Sequence, residues 1–494
     1  MFTPKTVEEL EAKIAETKQN GETWECDLSD LNVAEIKSKL FDGCTGLTSV
    51  VIPDSVTEIG YRAFSGCTDL TSVVIPKGVT KIGENAFCGC SGLTSVVIPE
   101  GVTEIAHDTF DGCAGLMSVV IPEGVTKIGG RVFRDCTGLT SVVIPEGVTE
   151  IWYEAFDGCA GLTSVVIPDS VTRIYYSAFK GCTGLTSVVI PEGVTEIGWG
   201  AFGGCTGLAS ITVAKENKRY DSRESCNAII ETATNEFVCG CKTTVIPDSV
   251  TAIGGYAFDG CTGLTRVVIP DSVTAIGEGA FDGCTGLTSV VIPEGVTEIG
   301  EGAFDGCTGL TNVEIPEGVT EIYNSVFSGT GLTSVVISEG VTEIDDYAFS
   351  RCTDLASIKV AEGNTIYDSR DNCNAIIETA TNKLVCGCKT TVIPDSVTEI
   401  GEGAFDGCTG LTSVVIPEGV TEIGENAFRG CENLKEVTLP VGVKKIEDGS
   451  FLDCDALETI YVPAKKADYY KKRLPEELHD KIKELEPVKK AKKK

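Results

Sequence analysis

Phenylalanine sets the phase of this chain. Phe41, Phe64, Phe87, Phe110, Phe133, Phe156, Phe179 and Phe202 are each 23 residues apart, and the column resumes at Phe258 and runs to Phe451. Sixteen of the 18 phenylalanines lie on it. A period of this length is one supersecondary unit that cannot bury its own apolar face, so neighbouring copies must stack into a shared core. The 494 residues would otherwise suggest about three domains. The period overrides that expectation and predicts a repeat solenoid.

One unit shows how the turn is built: Leu411-Thr-Ser-Val-Val-Ile-Pro-Glu-Gly-Val-Thr-Glu-Ile-Gly-Glu-Asn-Ala-Phe-Arg-Gly-Cys-Glu-Asn433. The spacing Leu47, Val50, Ile52 predicts a short strand with alternating faces, which Pro53 and its equivalents end. Val56 to Ile59 is a second extended piece, and Ala-Phe-x-Gly-Cys predicts a short helical turn that carries Phe and Cys inward. Gly46, Asp69 and Asn433, each just before a Leu, predict a left-handed backbone there. Fifteen of the 23 cysteines occupy one place in the unit, from Cys44 and Cys67 to Cys454. Such a column reads as a small buried hydrophobe used once per turn, with the thiols free. Neighbouring turns would bring successive thiols to about 5 Å, so distance alone leaves disulfides open.

Two units are longer, spanning 208–241 and 355–388. Both carry Tyr-Asp-Ser-Arg and a Cys-Asn-Ala-Ile-Ile-Glu-Thr block, and they predict hairpins pairing Asn227–Thr232 with Phe237–Cys241, and Asn374–Thr379 with Leu384–Cys388. Terminal turns need caps. Val7–Lys18 has helical spacing, while Ala467–Leu474 and Pro475–Leu485 predict two short helices, with Pro487 and a Lys-rich tail beyond. The organisation expected is an N-terminal helical cap at 1–40, a solenoid at 41–463, and a C-terminal helical cap and tail at 464–494.

Composition narrows the function. Asp and Glu number 73 against 40 Lys and Arg, a formal net charge of −33. That field repels phosphate backbones and anionic membranes, which argues against nucleic-acid binding. No apolar run approaches the roughly 20 residues of a membrane span. The opening Met1–Leu10 has neither the charged nor the apolar stretch of an export signal, so read alone it predicts the cytoplasm, a trimmed mature form or a non-standard export route.

The pattern Leu-x-x-Val-x-Ile-Pro-x-x-Val-x-x-Ile-x-x-x-Ala-Phe-x-x-Cys resembles the bacterial BspA-type leucine-rich repeats, a 23-residue class also found in spirochaetes. The resemblance covers residues 41–463, and the Asn-Ala-Ile-Ile-Glu-Thr block and the closing Ile460–Ala464 are similar to that family too. It implies a leucine-rich-repeat solenoid with short parallel β-strands stacked turn on turn and short helical caps at both ends. It also implies a non-enzymatic, cell-surface or secreted role in adhesion to host or bacterial proteins, such as extracellular matrix. An intracellular scaffold is the alternative.

Identical positions report what the fold requires, so variable ones show where it is indifferent. The most variable stretch is the triplet between Ile and Ala-Phe: Gly-Tyr-Arg at 60–62, Ala-His-Asp at 106–108, Trp-Tyr-Glu at 152–154, Tyr-Tyr-Ser at 175–177 and Gly-Trp-Gly at 198–200. Trp152, Tyr153, Tyr175, Tyr176 and Trp199 gather in three consecutive turns. Stacking would set Trp152 beside Tyr175 and put Tyr153, Tyr176 and Trp199 in line. Exposed aromatics at this density are typical interface anchors, and these five are the candidate partner surface; rings lying flat on the solenoid wall are the bland alternative. A second candidate is the outward strand face, with its Ser49, Ser72, Ser95 and Val51, Val74, Val97 columns, open to self-association or simply expressing β-propensity.

No catalytic, cofactor or metal set emerges. Only His107 and His479 are available to a triad, and neither has distinctive neighbours. Gly198-x-Gly200-x-x-Gly203 lies inside a repeat and not in a strand–turn–helix unit. The Cys-Gly-Cys pairs at 88–90, 239–241 and 386–388 lack zinc spacing. Charges after Val-Thr alternate in the first half (Glu58, Lys81, Glu104, Lys127, Glu150, Arg173, Glu196), which predicts cross-turn pairs. The second half stacks carboxylates at Glu298, Glu321 and Glu343, without the ligand loop a divalent cation needs.

Overall fold

A computed structural model describes residues 1–486, so Pro487 and the Lys-rich tail lie outside the described residues. It resolves into two compact units, one of Met1–Val250 with Tyr256–Thr262, the other of Thr251–Gly255 with the residues from Gly263 onward. Each is a parallel-strand leucine-rich-repeat solenoid, and the chain has about 20 turns.

The turns join through ladders in which each residue meets its own copy one turn away. On the first face Ser49, Val50 and Val51 pair in register with Ser72, Val73 and Val74, and Ser141–Val143 pair with Ser164–Val166. The middle Val of each strand points inward and its two neighbours outward, as the alternation requires. The second face carries two-residue strands, with Glu58 and Ile59 opposite Lys81 and Ile82. The Thr column is explained by the same registry. Thr71, Thr94, Thr140 and Thr163 each donate a hydroxyl to the backbone carbonyl of the residue one turn back.

The third face corrects two expectations. Ala-Phe-x-Gly-Cys forms consecutive hydrogen-bonded turns and no helix: Ala63 N–H reaches the Gly60 carbonyl and Cys67 N–H the Phe64 carbonyl. The residues before Leu are not left-handed. Left-handed backbone falls instead on the third residue of the variable triplet (Lys39, Arg62, Asn85, Asp108, Arg131, Glu154, Ser177, all with φ between 54° and 61°) and on the residue before Cys. The physical reason is the ladder. The N–H of Arg62 must turn outward to reach the Glu84 carbonyl one turn on at 3.0 Å, and Ser177 reaches Trp199 at 3.1 Å in the same way. The pre-Leu glycine answers a different need. A Cβ on Gly92 would sit 2.6 Å from the Thr68 carbonyl oxygen of the turn before.

Phe and Cys fill the interior. Phe rings stack at 5.0 to 5.7 Å between centroids from Phe41 to Phe202, nearly parallel throughout. Trp24 continues the stack beyond Phe41 at 6.3 Å, and Phe2 covers Trp24. Phe237, off the column in sequence, stacks on Phe258 at 5.0 Å and so supplies the ring that the long repeat omits. Column thiols donate to the Phe carbonyl of the previous turn, as Cys67 to Phe41 at 3.2 Å and Cys136 to Phe110 at 3.2 Å. All 23 cysteines are free and all but Cys88 are buried. At 330 a Thr replaces the column Cys, and its hydroxyl donates to the Phe327 carbonyl at 2.8 Å.

Both ends are closed. Helix α1 (Val7–Asn20) begins at Thr6, whose hydroxyl accepts the Glu9 N–H, and stops at left-handed Gly21. It lays Leu10 and Ile14 on the core, and Trp24–Asp27 pairs onto the first repeat strand. At the other end α2 (Ala467–Lys471) is short, and the second expected helix is replaced by a 3-10 segment, Glu476–Lys481, running into a strand, Ile482–Glu484. That strand pairs with Thr459–Val462 and covers the last exposed edge, which a helix would leave open. Tyr470 is fully buried and donates to the Pro440 carbonyl.

The long repeats form the expected antiparallel hairpins, shorter than predicted, with Ile229–Glu231 against Glu236–Cys239 and Ala375–Glu378 against Lys383–Gly387. Asn217 pins the first to the preceding turn. Its amide donates to the carbonyls of Pro191 and Val194 while its oxygen accepts from Arg219 and Tyr220 N–H. Asn364 repeats all four bonds in the second unit.

Two outcomes follow from this packing. Phe133→Ala removes one ring from the stack and is expected to lower stability by about 3–5 kcal/mol in urea titration. Burial, followed by the Asp111 carboxylate, pushes the Cys88 thiol up. An aromatic disulfide reagent should therefore meet at most this one thiol in the native protein. A raised thiol is less ionised at pH 8, so the reaction should quicken only above the ordinary thiol range, and all 23 should react in denaturant.

Candidate functional site

The triplets protrude because of the left-handed residue that closes each one. It turns the chain sharply, so the residue before it faces outward while its own N–H reaches the next turn. Aromatic side chains at the first two triplet positions therefore stand in columns one turn apart. Trp152 stacks on Tyr175 with ring centroids 5.4 Å apart, and Tyr153 on Tyr176 at the same distance. Trp152 and Tyr153 touch each other at 6.4 Å. Trp152, Tyr153 and Tyr175 are half-buried by this stacking, whereas Tyr176 is 47% and Trp199 66% exposed. Trp199 departs from the expected line: no ring contact joins it to Tyr176 among the described residues.

The structure adds His107 to the set. Its ring stacks on Tyr153 at 5.8 Å and meets Trp152 edge-on at 5.4 Å, across two turns of the solenoid. Gly130 makes this possible, because a Cβ there would lie 2.6 Å from the Tyr153 ring. His107 Nδ1 accepts the Gly130 N–H at 2.8 Å, which orients the imidazole toward the tyrosine. Sequence spacing alone leaves His107 a full turn short of Tyr153. The signal that identifies it is the Gly-Gly of the intervening triplet, which vacates the space between.

Cations cover some of these rings. The Arg131 guanidinium lies 5.3 Å from the Tyr153 centroid and pairs with Glu154 at 2.8 Å, while Arg134 bridges Asp111 and Glu154. Lys39 stands 5.7 Å over Tyr61. Tyr61 borders an open groove of about 580 Å³ whose wall includes Glu58, Lys81, Glu84, Glu104 and Ala106. Ala106 precedes His107 in the chain, so the groove's wall reaches the triplet that carries the histidine.

A model of the BspA type leucine-rich repeat region, with six copies, matches residues 20–136, 103–227, 230–368 and 376–474. The chain belongs to the BspA-type leucine-rich-repeat family. Among solved structures, a leucine-rich cell surface protein of Faecalibacterium prausnitzii is 31% identical over 80% of this chain and 83% of its own, with a TM-score of 0.47. A leucine-rich repeat protein of Bacteroides ovatus is 27% identical over 87% and 88%, with a TM-score of 0.37. One from T. pallidum is 33% identical over 38% and 78%, at 0.31. No curated protein matches.

Other sequence candidates sort themselves by contact. Within this BspA-type turn Gly198 and Gly203 serve packing, since a Cβ would strike the Tyr176 backbone or the Asp259 carboxylate, while Gly200 takes the left-handed position with φ of 60°. His479 lies 3.1 Å from the Leu474 carbonyl in the C-terminal cap. The outward Val column is exposed, with Val74 at 76% and Val143 at 71%. The alternating charges do pair across turns: Lys81 with Glu58 at 2.5 Å, and Arg173 with Glu150 at 3.5 Å and Glu196 at 3.1 Å. In the second unit Glu321 faces Glu343 directly, and Asp345 brings a third carboxylate within 4.8 Å of both.

Carboxylates crowd the aromatic face as well. Burial, then Glu154 and Asp135, push the Asp157 carboxyl up to about 6. A carboxyl raised in the fold prefers its proton, so its charged form penalises the native state above about pH 6, and the penalty fades as pH falls toward the ordinary carboxylate range. Asp157→Asn should therefore raise the melting temperature at pH 7.5 and leave it unchanged at pH 4, measured by scanning fluorimetry against the parent chain.

Proposed function

We propose that this BspA-type protein is a non-enzymatic binding solenoid that adheres to host or bacterial surface proteins, extracellular matrix proteins among them. The observation that carries the reading is the aromatic cluster of the first unit, where Trp152, Tyr153, Tyr175, Tyr176 and Trp199 occupy the positions that the fold leaves free to vary. Large amphipathic rings lose little conformational freedom when they meet a partner, and stacking holds Trp152 on Tyr175 and Tyr153 on Tyr176 beforehand. The ladders beneath provide a rigid support. Membership of a family whose Faecalibacterium relative is a cell surface protein supports the extracellular setting.

An intracellular scaffold is the second reading, favoured by the free thiols. Protease shaving of intact cells separates the two: digestion of the chain supports adhesion, and resistance supports the scaffold.

Replacing the five aromatics by Ser tests the surface itself. The variant is expected to keep the cooperative unfolding of the parent while losing capture of matrix or cell-extract proteins. Equal capture by parent and variant would remove this face from the binding function.

A further inference from the structure

The triplet columns repeat one small device. A basic residue at the third position of one triplet lies over an aromatic ring at the second position of the next: Lys39 over Tyr61, and Arg131 over Tyr153. The left-handed backbone at that third position, with φ of 61° at Lys39 and 57° at Arg131, directs the side chain toward the following turn. In the second case a carboxylate completes the seat, with Glu154 2.8 Å from the guanidinium. The attraction is that of a cation for the negative face of a ring, strengthened where the pair is partly shielded from water.

Two rings in the same column lack this cover. The residue preceding Tyr176 in the device is Glu154, and the one preceding Trp199 is Ser177. Neither is a cation, and these two rings are the most exposed of the cluster. At Gly200, beside Trp199, a Cβ would lie 3.6 Å from the Tyr256 Cβ, 3.8 Å from the Asp259 carboxylate, which Lys180 pairs, and 3.9 Å from the Ser177 hydroxyl. From Glu150 to Gly203 six carboxylates stand against two bases, Arg173 and Lys180. Burial first, and then its acidic neighbours Glu154 and Asp135, displace the Asp157 carboxyl upward.

We propose that Trp199 and Tyr176 form a receptor for cationic side chains of a partner protein, arginine or lysine in a basic exposed segment, which take the place over these rings that Lys39 and Arg131 take within the chain. This rests on the binding role of the aromatic face and specifies the chemistry of its partner. The field of the −33 chain draws a basic segment in, and the rings fix where it settles.

The test uses the full chain and a fluorescent nonapeptide alternating Arg and Ser, with a second peptide carrying neutral citrulline in place of each Arg. Fluorescence anisotropy should show the Arg peptide binding and the citrulline peptide binding at least tenfold more weakly. Trp199→Ser and Tyr176→Ser leave the net charge unchanged and should each weaken the Arg peptide about five- to tenfold. The sharpest arm is Ser177→Arg, which supplies the missing cation from within. Ser177 has φ of 54°, close to the 57° of Arg131, so an Arg is accommodated there. It should block the Arg peptide as strongly as Trp199→Ser does, while Ser177→Gln binds like the parent.

Equal binding of both peptides, or full binding by Ser177→Arg and by Trp199→Ser, would overturn the cation receptor. Either result leaves the adhesive reading standing as long as the five-Ser variant loses capture of protein partners. Retained capture by that variant would instead remove the wider reading.

Discussion

Registry between turns is the constraint on which everything else in this molecule depends. Backbone, side chain and ring each meet their own copy one period along: Val50 beside Val73, Thr71 on Thr48, Phe41 on Phe64. A shift of one residue would break all of these at once and turn the buried Val outward. That is why the motif is so nearly invariant, and why its few departures carry compensations. Thr330 bonds the Phe327 carbonyl of its own turn where a column Cys bonds that of the turn before, and Phe237 restores a missing ring.

Much of the fold was legible because periodic burial leaves a periodic trace. The Phe, Leu and Cys columns and both hairpins followed from spacing, and the parallel strands from the family resemblance. What escaped was information not written in residue type. Position three of the triplet holds Lys, Arg, Asn, Asp, Glu, Ser or Tyr, so nothing in its chemistry announces a left-handed backbone. The glycine before Leu does announce an exception, but of close approach and not of handedness. At the C-terminus an apolar spacing of helical type ended in a strand, because an unpaired sheet edge outweighs local preference.

The candidate surface was legible in part. Self-comparison picked out the variable triplets, and stacking brought Trp152 to Tyr175 and Tyr153 to Tyr176. His107 was not legible as a member, since its contact skips a turn through the space that Gly130 leaves. Trp199 was expected to join the stack and instead stands apart. Its separateness is what makes it the more available ring.

The left-handed triplet position has a consequence for how this kind of surface is acquired. A side chain in that conformation costs about 1–2 kcal/mol over glycine. In the first unit the position holds Lys39, Arg62, Asn85, Asp108, Arg131, Glu154 and Ser177, with Gly200 at the turn of Trp199; the second mixes Gly279, Gly302, Gly403 and Gly449 with Ser325, Tyr347 and Asn426. The glycine turns are the relaxed form of the repeat. The non-glycine turns carry that cost in both units, and at Lys39 and Arg131 the side chain it places reaches over the ring of the next turn. In a chain of near-identical turns, the steric cost a turn carries thus marks where a side chain occupies a place that glycine would leave empty.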